Sequence, residues 1–114
     1  MKKALFIILP LTLLTGCKSL DYVRSQDPVL TGSTEKPVSD FGSCVSAKWS
    51  GSGGQVTSLP LSQGISIQVP QAMGGYDVVL DVTSKAAGGS DFVLYERVPS
   101  LTSDSYENAV SSCK

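Results

Sequence analysis

The chain contains no histidine. That removes the side chain that most often works as a general base near neutral pH and as a transition-metal ligand. Ser-His-Asp and Cys-His nucleophilic sites go with it. Ser46-Ala47-Lys48 and Ser84-Lys85 bring serine close to lysine, but neither has the Ser-x-x-Lys spacing of serine–lysine catalysis. Charge is scarce at 17% of residues, and the net charge is −1. A nucleic-acid binder needs a basic face against phosphates, so that class is excluded. The glycine pairs carry no following Gly-Lys-[Ser/Thr], which excludes a P-loop and leaves hairpin and loop roles. Cysteine is limited to Cys17, Cys44 and Cys113. With 114 residues, 41% of them hydrophobic, the chain has room for one small globular domain.

The N-terminus is built differently from the rest. Met1-Lys2-Lys3 is basic, and Ala4 to Leu14 is apolar apart from Pro10 and Thr12. A bilayer-spanning helix needs about 20 residues, so this run is too short. A basic start, a short apolar stretch and small residues next describe a secretory signal peptide. The cut site, Leu14-Thr15-Gly16-Cys17, resembles the lipobox of bacterial lipoproteins. The resemblance implies a signal peptide over 1–16, cleavage before Cys17 and a diacylglycerol on its sulfur. Two or three acyl chains hold a protein stably where one does so only marginally. Lys18 and Ser19 follow the anchor, and enterobacterial lipoproteins retained at the inner membrane carry an aspartate in the first of these places. The absence of aspartate there implies the outer membrane, facing the periplasm by default. Losing Lys2 and Lys3 from a chain of net charge −1 leaves a formal side-chain charge of −3, which does not suit a polybasic lipid reader.

Lys18 to Pro37 shows no sustained period and carries Ser, Thr, Asp, Gly and two prolines. It is expected to be a flexible tether within residues 17–38, reaching roughly 70 Å when extended and about 25 Å as a coil. Alternatively, Tyr22-Val23 or Val29-Leu30 dock on the module or on a partner. The module itself is expected over 39–114. A helix capped by Ser39 or Asp40 places Phe41, Cys44, Val45 and Trp49 on one face and ends at Gly51 and the Ser-Gly-Gly run. Gln55 to Leu61 is a candidate edge strand because of Pro60. Ile65 to Val69 alternates as a strand should. Tyr76 to Thr83 and Asp91 to Val98 are strands with Val78, Leu80, Val82, Phe92 and Leu94 inward. Asp104-Ser105-Tyr106-Glu107 has capping-box spacing with Asp104 as cap, and Tyr106, Ala109, Val110 and Cys113 share a helical face. The expected fold is α+β: a two-layer sandwich in which an antiparallel sheet of three to four strands carries two helices on one face, in the order α-β-β-β-β-α.

With Cys17 lipidated, Cys44 and Cys113 remain as one pair in an oxidising compartment. Both fall on apolar helical faces, so a disulfide joining the two helices is expected. Trp49 is expected in the core, with ligand stacking as the alternative.

If Thr83 lies opposite Asp91, then Asp77 faces Arg97, Val79 faces Tyr95 and Asp81 faces Val93, all on the side away from the helices. Ser66 and Gln68 extend that side. An apolar centre of Val79, Val93 and Tyr95, rimmed by Asp77, Asp81, Arg97 and Gln68, has the anatomy of a partner-binding face. Asp77 and Asp81 are about 13 Å apart on one strand, too far to share an ion, and are read as solvated positions. No metal or cofactor is expected.

Cys44-Val45-x-x-Lys48-Trp49, Gly75-Tyr76-Asp77-Val78-Val79-Leu80-Asp81-Val82, a Tyr-bearing strand and a terminal helix with Cys113 resemble small uncharacterised proteobacterial lipoproteins. That resemblance brings no established activity. The expected function is a non-enzymatic, lipid-anchored interaction module, a subunit or accessory of an envelope assembly with an envelope protein as partner. The alternative is an exclusion, immunity or inhibitor lipoprotein that blocks a receptor, phage, toxin or hydrolase.

Overall fold

In a computed structural model the described residues are 15–51 and 55–114, with side chains described from Leu20 onward. The expected signal segment up to Leu14, and the Ser-Gly-Gly run at 52–54, lie outside them. The elements are α1 (Thr15–Arg24), β1 (Leu30–Thr34), α2 (Val38–Ser50), β2 (Thr57–Leu61), β3 (Gly64–Pro70), β4 (Tyr76–Ser84), β5 (Ser90–Glu96), a 3-10 turn (Pro99–Leu101) and α3 (Asp104–Cys113).

The fold is α+β around one antiparallel sheet of order β1-β5-β4-β3-β2. Alternation sets its register. Val79 pairs with Tyr95, Asp81 with Val93 and Thr83 with Asp91. One step further on, the Arg97 amide donates to the Asp77 carbonyl at 2.8 Å. Val78, Leu80, Val82, Phe92 and Leu94 therefore share the inner face, where they bury against Phe41, Val45 and Trp49 of α2 and Ala109, Val110 and Cys113 of α3. The Trp49 ring sits edge-on to Tyr106, and its indole N–H donates to the Tyr106 carbonyl, so this tryptophan packs the core. Cys44 and Cys113 are joined by a disulfide, with Cα atoms 5.8 Å apart.

Both inner helices are capped earlier than expected, α2 at Pro37 instead of Ser39 or Asp40 and α3 at Ser103 instead of Asp104. Helix α2 begins after Pro37 with no side-chain cap, because proline's fixed φ suits a helix entrance. Asp40 lies in the first turn, where a carboxylate complements the helix dipole. In α3 the cap is Ser103, whose hydroxyl accepts from the Ser105 amide, and Asp104 is the first helical residue. Gly42 would weaken an isolated helix, yet here it eases close packing. A Cβ at position 42 would come within 2.4 Å of the Ile65 Cδ1, so glycine lets α2 lie close on β3.

The largest departure is N-terminal. Residues expected to form a tether make α1 and β1 instead, so the sheet has five strands rather than three to four. Two of the helices cover one face and α1 packs on the other, against β4 and β5. The expected two-layer sandwich is therefore three layers over this part of the sheet. Val23 is fully buried, and Val29 and Leu30 pack against the core, which agrees with the docking alternative. β1 pairs with β5 from Leu30–Leu94 to Thr34–Ser90. The physical reason is that β5 would otherwise be an edge with unpaired backbone groups, and β1 satisfies them.

Candidate functional site

Alternation along β4 and β5 does bring the residues of the expected binding face together. Asp77, Val79 and Asp81 line up with Arg97, Tyr95 and Val93 on the side away from α2 and α3. The face is not open, however. Val79 is fully buried, and Val93 and Tyr95 are half-buried. Ser66 and Gln68 are buried as well. The occupant is the chain's own α1. Arg24 Nε and Nη2 donate to the two Asp81 carboxylate oxygens, each at 2.8 Å, and Nη2 also reaches the Ser66 hydroxyl at 3.1 Å. This two-pronged pairing holds the guanidinium more firmly charged than usual. Gln26 donates to the Arg97 carbonyl at 2.9 Å. Asp77 and Asp81, expected to be solvated, are thus partners of Arg97 and Arg24.

Arg24→Ala should therefore free α1 while leaving the sheet intact, at a stability cost of about 1 kcal/mol because the pair is partly exposed. Amide hydrogen exchange should speed up at Val23 and Arg24 and stay slow at Val78 and Leu80. Equal acceleration in the core strand would mean that α1 is not an independent latch.

The two ends of the sheet differ. One end holds the β4–β5 hairpin, the end of β1 and the end of α3. The other holds the β3–β4 loop, the 3-10 turn and the start of α3. Helical side chains lean toward their helix N-terminus. Arg24 leans back to Asp81, while Gln26, just past the helix, reaches Arg97. Helix α1 therefore starts toward the hairpin end and descends toward Arg97.

At the Arg97 end, Met73 and Leu101 are the most exposed large apolar residues, at 91% and 84%. Beside Leu101 opens a cleft of about 340 Å³ lined by Gln71, Asp77, Arg97, Thr102 and Tyr106 among others. Just inside this end lies Glu96, buried, with neither carboxylate oxygen hydrogen-bonded. Burial pushes its pKa up to about 7, and the negative charges of Glu107 and Asp104 on α3 push the same way.

At the hairpin end, a wider cleft of about 970 Å³ is lined by Lys36, Lys85, Lys114 and the Gly88-Gly89 turn. A Ser-x-x-Lys spacing does exist here, from Ser33 to Lys36, and recurs at Ser111 to Lys114. At the first, the Ser33 hydroxyl donates to Asp91 and the Lys36 ammonium to the Cys113 carbonyl, so the two are not hydrogen-bonded to each other. Among the described residues no group of three or more potential ligands could hold a metal ion. No described helix is long and apolar enough to cross a membrane.

Comparison with known proteins returns no matching family model, no matching curated protein and no matching solved structure.

Proposed function

We propose that the chain is a non-enzymatic lipoprotein module of the bacterial envelope. It is anchored through Cys17 and held close to the membrane, and it presents its Arg97 end to a protein partner. The observation that carries this reading is the docking of α1. Cys17 is six residues before the buried Val23 on one helix, a rise of about 9 Å. A lipid on Cys17 would thus be coupled to the sheet by a helix rather than by a coil averaging about 25 Å. The alternative use of the outer sheet face for a partner gives way, since α1 already lies there. Docking is assigned instead to exposed Leu101 with the cleft beside it, which the Asp77–Arg97 ion pair lines, and to exposed Met73 in the β3–β4 loop at the same end. Lys18 and Ser19 argue for the outer membrane.

One experiment in cells tests both halves. A clickable fatty acid should label the wild-type protein and leave Cys17→Ser unlabelled. A photoreactive residue at position 73 or 101 should crosslink to one discrete envelope protein, whereas the same residue at Thr83 should not. Label on Cys17→Ser would overturn the anchor. A discrete crosslink from Thr83 and none from 73 or 101 would overturn the docking end.

A further inference from the structure

The cations of this chain are sorted. Among the described side chains both arginines are in ion pairs on the outer sheet face, Arg24 with Asp81 and Arg97 with Asp77. The four lysines with described side chains form no ion pair, and three of them, Lys36, Lys85 and Lys114, line the cleft at the hairpin end. They come from three separate elements: the β1–α2 connection, the β4–β5 hairpin and the end of α3. Glu35 is the only acidic side chain on the lining, so its formal side-chain charge is positive although the chain as a whole is acidic.

The cleft is also built rather than incidental. The buried Ser90 hydroxyl donates to the Lys36 carbonyl, and the Lys36 ammonium caps α3 at the Cys113 carbonyl. The Cys44–Cys113 disulfide fixes that helix end. Gly88 and Gly89 both adopt positive φ, and a Cβ at Gly89 would lie 2.4 Å from the Thr34 carbonyl oxygen. Glycine there lets the hairpin close against β1, and the turn's backbone hydrogen bonds to Gly88 and Gly89 hold Lys85 on the same lining. The start of α1, which bears Cys17, points to this end.

We propose that this lysine cleft is a phosphate-binding site, and that the phosphate it meets is that of an anionic lipid headgroup. Three lysines on the lining of one open cleft suit an oxyanion, each ammonium acting as a point charge with three donors, of which Lys36 spends one on the Cys113 carbonyl. The headgroup as source rests on the lipid-anchor reading above; the phosphate site does not. A lipid on Cys17 would bring the hairpin end to the bilayer surface, where each nearby lysine adds to attraction for anionic lipid. The two arginines, locked on the sheet, leave this end as the module's basic surface.

The test uses the intact lipoprotein in neutral detergent micelles, titrated with inorganic phosphate and followed by the amide resonances of Lys85, Gly88 and Gly89. Saturable shifts are expected. Lys85→Gln and Lys114→Gln should each weaken binding about fivefold, and Lys48→Gln, outside the cleft, should leave it unchanged. Transfer into nanodiscs of phosphatidylglycerol, but not of phosphatidylcholine, should move the same amides without added phosphate. Phosphate shifts with no response to phosphatidylglycerol would overturn the headgroup as source and leave soluble phosphate. No saturable shift in either setting, or equal affinity in all three lysine variants, would overturn the site. Cys17→Ser carried through the phosphate titration should bind as the wild type does, which separates failure of the anchor from failure of the cleft.

Discussion

Replacing Cys44 and Cys113 together by alanine should lower the free energy of unfolding by about 4 kcal/mol. The two residues are 69 apart in sequence, and their bond ties α2 to α3 on the same face of the sheet. Closing so long a loop removes many conformations from the unfolded chain. It also pins the buried Cys113, and with it the last turn of α3, against the core. For a domain of this size the expected loss in Tm is on the order of 20 °C. Thermal unfolding with and without a reductant should give the same difference in the wild type, and the alanine pair should not respond to reductant. A reductant-insensitive Tm in the wild type would refute the expectation.

Glu96→Gln should stabilise the protein in alkaline solution and leave it unchanged in acid. The buried carboxyl keeps its proton in the folded chain until about pH 7, against a usual value of 4.5. A group whose pKa rises on folding supports the fold fully below its unfolded value, and that support is lost as pH climbs through the folded value. Between pH 4.5 and 7 the wild type should therefore lose roughly 3 kcal/mol. Glutamine mimics the protonated carboxyl in shape and cannot ionise, so the variant should lack this slope. Denaturant unfolding at several pH values measures both curves. Parallel curves for variant and wild type would show that Glu96 ionises freely in the folded chain. Because the acidic groups acting on it lie on α3, the strain above pH 7 should appear first as faster amide exchange in that helix.

The sheet was legible where alternation is unbroken. Val78-Leu80-Val82 and Phe92-Leu94 announce their inward face, and the pairing of Thr83 with Asp91 fixes every partner down to Val79–Tyr95. The same alternation carried two residues further puts Glu96 inward, a charged residue in a core position. β1 was hidden for a physical reason. Its inward residues are Leu30, Gly32 and Thr34, and only one of them is large and apolar. Gly32 makes room for a ring, since a Cβ there would meet the Phe92 side chain at 2.8 Å. That demand comes from a residue sixty positions away, and no local period reports it. Helix α1 was hidden likewise: among its described side chains Val23 alone is fully buried, and its hold is an ion pair spanning 57 residues. The lysine cleft joins three elements distant in sequence, so composition could count its charges but not collect them.

The Arg24–Asp81 pair also decides how the molecule would bear mechanical load. A pull at the start of α1 enters the sheet at β4, the central strand, which is hydrogen-bonded to β5 on one side and β3 on the other. Dragging it out requires both ladders to shear at once. If the pair gives way, the pull passes along the chain to β1, an edge strand held on one side only, which opens one rung at a time from Leu30. The Arg24–Asp81 pair, with buried Val23 and the Gln26–Arg97 hydrogen bond, thus stands between a load on α1 and the weaker edge strand, and together they set where the module would begin to unravel from its N-terminal side.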